Sequence, residues 1–131
     1  MKIGLVAHNS KKSLMQNLCI AYKGILSRNQ LYATGTTGRL VEEASDLEVH
    51  KFLEGKLGGT EQLMAQIEAN DMDLVIFLRD PLRPQSHEPS LSDIAKLCDM
   101  HNIPLATNLA TAELLIKAVD RGDLDFRDAY R

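Results

Sequence analysis

The chain has 131 residues, 44% of them hydrophobic and 25% charged, with a formal net charge of −3. These totals predict one soluble globular domain over 1–131, with a buried core. They argue against nucleic acid as a partner, and no basic run counters that. No apolar stretch is long enough to span a bilayer and no signal-peptide core opens the chain, so a membrane partner is not expected and the cytoplasm is the expected compartment.

In chain order, Lys2 to Ala7 reads as a buried strand. Lys11 to Arg28 has a helical period, with apolar residues at Leu14, Leu18, Ala21, Tyr22 and Ile25. A second short strand is expected at Leu31 to Ala33, followed by the Thr/Gly loop Thr34-Gly35-Thr36-Thr37-Gly38 and a helix over Thr37 to Ser45. Val49 to Leu53 is a candidate third strand, and Thr60 to Asn70 is helical. Leu74 to Leu78 is the strongest strand signal, a run of apolar residues as in a parallel strand covered on both faces. Ser90 is a candidate N-cap for a helix to Met100; Ile103 to Thr107 is a fifth strand; Thr111 to Val119 is the last helix, stopped at Gly122. Strands alternating with helices predict an α/β fold, a three-layer sandwich around a five-stranded parallel sheet. Cys19 and Cys98, the only two cysteines, lie in apolar helical patterns and are expected to be buried free thiols.

In open parallel sheets ligands bind beyond the carboxyl ends of the strands. The polar oddities of this sequence fall there: His8 and Asn9, the Thr/Gly loop, Gly55 to Thr60, Asp80 with the proline-rich loop to His87, and Thr107-Asn108. The glycines of the Thr/Gly loop allow a close backbone approach, and its hydroxyls and N–H groups suit an anion, so phosphate is the expected ligand. Lys12 can add a cation to the same phosphate; by itself it reads as an ordinary solvated lysine. His8 reads as a pocket residue or as a structural histidine bonded to a backbone carbonyl. His87 lies in a loop stiffened by three prolines and suits proton transfer or carbonyl polarisation. Asp80 reads as a carboxylate of tuned acidity or as a turn residue before Pro81. His50 and His101 fall within predicted regular elements and are not expected to function.

Together these segments resemble the methylglyoxal synthase family over nearly the whole chain. The residues that carry the resemblance are Leu5 to His8, Leu31 to Gly38, Leu57-Gly58-Gly59, Asp73 to Leu82, His87-Glu88-Pro89 and Asn102 to Ala112. The resemblance implies a lyase that converts dihydroxyacetone phosphate to methylglyoxal and inorganic phosphate. It implies no metal or other cofactor, a homohexamer, and inhibition by phosphate. A small phosphorylated metabolite or inorganic phosphate is the implied partner. By the same resemblance Lys12, Thr34, Gly35, Thr36, Thr37 and Gly55 would grip the phosphate, His87 would meet the carbonyl side, Asp80 would be a supporting acid, and His8 would line the pocket.

The departures from the family pattern fall on the chemistry. The family motif Ala-His-Asp ends here in Asn9, and His-Glu-Pro-Asp ends in Ser90. The turn Ser-Gly-Pro-Leu-Gly-Gly-Asp-Gln reads Glu54-Gly55-Lys56-Leu57-Gly58-Gly59-Thr60-Glu61. Thr60 therefore stands where the family carries its catalytic aspartate, and a hydroxyl alone cannot remove a carbon-bound proton near neutral pH. Glu54 stands at a phosphate ligand position, where its charge repels a dianion unless Lys56 offsets it. Glu61, one position beyond Thr60, is a substitute base, although neighbouring helical residues point about 100° apart. The catalytic candidates are thus Asp80, His87, Glu61 and Thr60. Two functions follow: a lyase of the family type with impaired catalysis, or a non-catalytic homologue that binds a phosphorylated metabolite.

Overall fold

The computed structural model describes residues 1–82 and 89–130. Five strands, β1 (Lys2–Ala7), β2 (Gln30–Ala33), β3 (Val49–Lys51), β4 (Leu74–Leu78) and β5 (Leu105–Ala106), form one sheet in the order β3-β2-β1-β4-β5. All four pairings are parallel, with Ile3 beside Leu31 and Leu74, Leu31 beside Val49, and Val75 beside Leu105. The helices are α1 (Lys12–Ala21), α2 (Lys23–Leu26), α3 (Gly35–Ser45), α4 (Gly59–Glu68), α5 (Leu91–Met100) and α6 (Leu109–Asp120).

The period-2 alternation of the strands separates two cores. Ile3, Leu5, Ala7, Leu74, Ile76 and Leu78 pack with Met15, Leu18, Val41 and Ile116, so α1, α2, α3 and α6 cover one face. Val6, Val75 and Phe77 pack with Leu63, Ile67, Ile94 and Cys98, so α4 and α5 cover the other. The expected three-layer α/β sandwich is the observed one. The uninterrupted apolar run of β4 is explained by burial on both faces: none of its residues is more than 1% exposed.

The differences from the sequence reading lie at element ends. The helix expected over 11–28 breaks at Tyr22, whose φ/ψ of −110°/25° leaves the helical basin, while its hydroxyl donates to Glu113 Oε1 at 2.9 Å on α6. Two residues later Gly24 weakens helix continuation. The Thr/Gly segment is the first turn of α3 rather than a loop before it, with Thr34 as the extended N-cap residue. β3 stops at Lys51 and β5 contains only Leu105–Ala106. Pro104 has no N–H to add to the ladder, though its carbonyl accepts from Val75 N at 3.0 Å. The last helix starts at Leu109, two residues before the expected start, because Asn108 caps it by accepting from Thr111 N at 3.0 Å. His101 is not inside α5 but ends it. Cys19 and Cys98 are buried free thiols.

One feature was not expected from the sequence. Residues Asp125–Tyr130 form a 3₁₀ segment whose Arg127 is fully buried. Its guanidinium donates to Asn70 Oδ1 (2.8 Å), Met72 O (3.0 Å), His101 O (3.2 Å), Asn102 O (2.7 Å) and Asp73 Oδ1 (3.4 Å). Asp73 Oδ2 in turn accepts from Lys2 N at 2.8 Å. This network ties the C-terminal segment to the turns that enter β4 and β5, at the sheet edge away from the strand carboxyl ends. Burial pushes the pKa of Arg127 below its ordinary value, because the low-dielectric surroundings disfavour the charged form.

Candidate active site at the carboxyl edge of the sheet

A cavity of about 200 Å³ opens beyond the carboxyl ends of β1, β2 and β3. Its walls come from separate connections. Val6 and Ala7 close β1; Asn9 and Lys12 begin the next turn; Thr34 and Thr36 open α3. Glu54, Gly55, Lys56 and Thr60 come from the turn between β3 and α4, and Pro89 comes from the segment before α5. The sheet topology thus assembles residues up to 83 positions apart in sequence, and the third and fourth groups are the Thr/Gly and Gly-rich segments singled out in the sequence.

Two sources of positive potential face this space. The first is Lys12, whose ammonium donates to Ala7 O at 3.0 Å and Thr37 Oγ1 at 3.3 Å and is thereby held at the end of β1. The second is the N-terminus of α3. The first turn of a helix has N–H groups with no intrahelical acceptor, and Thr34 makes no side-chain cap to satisfy them. Of these N–H groups, that of Gly35 donates to Leu53 O at 3.1 Å, which fixes the β3–α4 turn against the helix. Lys56 adds a further cation on the wall.

That turn is held by steric necessity. A Cβ built on Gly59 would sit 1.8 Å from Leu53 O, so only glycine fits there. Leu57 N and Gly59 N both donate to Glu54 O, at 2.9 and 3.0 Å, and Leu53 N donates to Gln62 Oε1 at 2.8 Å. Glu54 and Thr60 consequently project from a closed, internally bonded turn. Thr60 Oγ1 lies 3.4 Å from the position of a Cβ on Gly55, and Glu54 Cγ lies 3.3 Å from that of a Cβ on Gly35. Both glycines therefore keep space beside the functional side chains.

The structure distributes the sequence-derived candidates unevenly. Lys12, Thr34, Thr36, Glu54, Gly55 and Thr60 line the cavity together. Thr37 does not; it is buried beneath, and its hydroxyl supports Lys12. Gly35 also lies outside the lining, with its N–H spent on Leu53. His8 is 3% exposed and outside the lining as well. Its Nδ1 accepts from Asp80 N at 2.7 Å, which leaves the ring proton on Nε2 to donate to Pro89 O at 3.1 Å. His8 thus joins the ends of β1 and β4 to the segment before α5, and its ring stands edge-on to Phe77. Of its two sequence readings, the bond to a backbone carbonyl is the one observed.

The acidic candidates also separate. Asp80 Oδ2 accepts from Ser10 Oγ at 2.7 Å and Oδ1 from Leu82 N at 2.9 Å, and Asp80 is not on the cavity wall. Glu61 is exposed on the first turn of α4 and also outside the wall, as the rotation between consecutive helical residues requires. Glu54 is the one carboxylate among the described residues that line the cavity. His87 lies outside the described residues. Lys56, noted in the sequence only as a counter-charge, and Pro89 are wall residues; their placement depends on the fold of two turns and carries no local motif.

Comparisons with known proteins address the family and the fold. The MGS-like domain family matches residues 17–107. A protein named methylglyoxal synthase from Caldicellulosiruptor saccharolyticus is 62% identical over 98% of this chain and 91% of its own length. Another of that name from Thermoanaerobacterium thermosaccharolyticum is 56% identical over 100% of this chain and 98% of its own. Among solved structures, the crystal structure of methylglyoxal synthase from Elizabethkingia anophelis NUHP1 superposes with a TM-score of 0.84 at 38% identity, covering 88% of this chain and 76% of that one. Sequence, sheet order and the position of the cavity all lead to one assignment: the chain belongs to the methylglyoxal synthase family.

Proposed function

We propose that the cavity binds the phosphate group of a triose phosphate and eliminates it, converting dihydroxyacetone phosphate to methylglyoxal and inorganic phosphate. The observation that carries the reading is the convergence of Lys12, Lys56, the threonine hydroxyls at 34 and 36 and the uncapped start of α3 on one small cavity that also holds a carboxylate. Cations and helix N–H groups stabilise a phosphate dianion both bound and departing. The reaction itself is proton transfer followed by elimination. A base takes a proton from the hydroxymethyl carbon beside the carbonyl, and the C–H electron pair forms an enediolate. The enediolate oxygen then closes to an aldehyde, the double bond shifts, and phosphate leaves with the C–O electron pair. The resulting enol takes a proton at its terminal carbon to become methylglyoxal. No redox step is involved, and by the family resemblance the reading includes no metal or cofactor.

The test is incubation of the purified chain with dihydroxyacetone phosphate, following methylglyoxal and phosphate together. Equal release of both, above the rate in buffer, supports the lyase; release at the buffer rate contradicts it. A second reading, a phosphorylated-metabolite binder without turnover, is favoured by one observation: Thr60 presents a hydroxyl to the cavity where the family pattern has the catalytic aspartate. Under that reading calorimetry detects phosphate-ester binding while no product forms. Both readings include the cytoplasmic location expected from the sequence and a homohexameric state carried over from the family; light scattering on the purified protein tests the latter.

A further inference from the structure

We infer that Glu54, rather than Asp80 or Glu61, is the general base of this chain, so that the base has moved from the end of the Gly-rich turn to its beginning. The inference rests on the proposed elimination in this cavity. Its first support is placement. Glu54 is the one carboxylate on the wall among the described residues, and it shares that wall with Lys12, Thr34, Thr36 and Thr60. Asp80, by contrast, spends both oxygens on Ser10 and Leu82 outside the wall, and Glu61, exposed in the first turn of α4, is not on the wall.

Its second support is availability. Among the described residues the Glu54 carboxylate has no hydrogen bond or ion pair, although Lys12 and Lys56 line the same cavity. It is half-buried, its side chain lies against Gly35 at the start of α3, and its own carbonyl accepts two N–H bonds from the turn. The backbone that aims it is therefore fixed while the carboxylate oxygens are uncommitted, which is the condition for accepting a proton. The third support is the co-occurring change at Thr60. With a hydroxyl there, the wall retains a donor toward the developing enediolate oxygen but has no other carboxylate.

The step balances within the residues named. Glu54 takes the proton from the hydroxymethyl carbon as the C–H pair forms the enediolate. Phosphate then leaves with its bonding pair toward Lys12 and the start of α3. The neutral Glu54 carboxyl returns its proton to the enol carbon or to solvent.

The experiment compares wild type, Glu54→Gln, Glu54→Asp, Glu61→Gln and Asp80→Asn in turnover of dihydroxyacetone phosphate. It includes the pH dependence of kcat/KM, exchange of the substrate's hydroxymethyl hydrogens with deuterated water, and binding of inorganic phosphate. Glu54→Gln is expected to lose about 10²–10⁴-fold in kcat. It should lose hydrogen exchange in parallel while still binding phosphate, which shows that the site is folded. Glu54→Asp is expected to recover part of the rate with the acidic limb of the pH profile restored. Wild-type turnover combined with an active Glu54→Gln overturns the assignment and leaves the lyase reading standing. A wild-type chain with neither turnover nor exchange overturns the lyase reading and this assignment with it.

Discussion

At the scale of single residues, two positions are fixed by geometry that no local pattern announces. Arg127 spends its guanidinium on five oxygens from two separate turns while fully buried. Removing one side of such a pair strands the other charge, at a cost of about 3–5 kcal/mol. Arg127→Met is therefore expected to lower unfolding stability by that amount in urea titration; an unchanged midpoint would contradict the role assigned to the network. Gly59→Ala would press a methyl group into Leu53 O, and overpacking of this kind costs about 3 kcal/mol. The expected result is a lower melting temperature with loss of phosphate binding, since the same turn carries Glu54 and Gly55. The glycines of this turn were legible in the sequence, but the reason for Gly59 was not, because it lies in the approach of a carbonyl six residues earlier in the chain. Arg127 was missed altogether: its segment has no apolar period, and its partners are mostly backbone carbonyls.

At the scale of elements, β4 and β1 were read to the residue, because burial on both faces writes a continuous apolar run. The expected starts of α3 and α6 fall two residues late because side chains and first-turn N–H groups, not hydrophobic period, decide where a helix starts. The Thr/Gly segment expected as a loop at the carboxyl edge of the sheet lies at that edge as a helix N-terminus. Helices α1 and α5 each bury a thiol. Burial pushes the Cys19 and Cys98 thiols up to about 12 from an ordinary 9.0, and Asp99 adds to the shift at Cys98. The native chain thus holds these protons to higher pH than the unfolded chain does. The resulting stability is intact below about pH 9 and is lost as the pH rises from there toward 12. Alkylation by iodoacetamide at pH 8 is expected to be slow for both in the native protein and fast in urea. Rapid native alkylation of either would contradict the burial.

At the scale of the whole molecule, the parallel topology makes a site out of four connections that share no sequence proximity. The sequence singles out Lys12 and the Thr/Gly and Gly-rich segments at strand ends, and the fold brings Lys12, Thr34, Thr36 and Gly55 to one cavity. In one dimension Asp80 and Glu61 read as the carboxylates open to proton transfer and Glu54 as a charge that repels phosphate, whereas the fold spends Asp80 on Ser10 and Leu82, leaves Glu61 exposed outside the cavity wall and sets Glu54 on it. The position of His8 shows the same limit from the other side. A histidine after a buried strand is legible, whereas its use as a bridge from Asp80 N to Pro89 O depends on two residues 72 and 81 positions away.

The claim on which both functional readings depend is that this cavity grips a phosphoryl group. The most direct measurement is titration of inorganic phosphate into the labelled protein, followed by backbone amide shifts in NMR, for wild type and Lys12→Met. The account predicts saturable shifts centred on Thr34, Thr36, Gly55 and Lys56. It also predicts roughly 10–100-fold weaker binding in Lys12→Met, as expected for one charge-assisted hydrogen bond. Shifts centred elsewhere, or equal affinity in the two proteins, would contradict it.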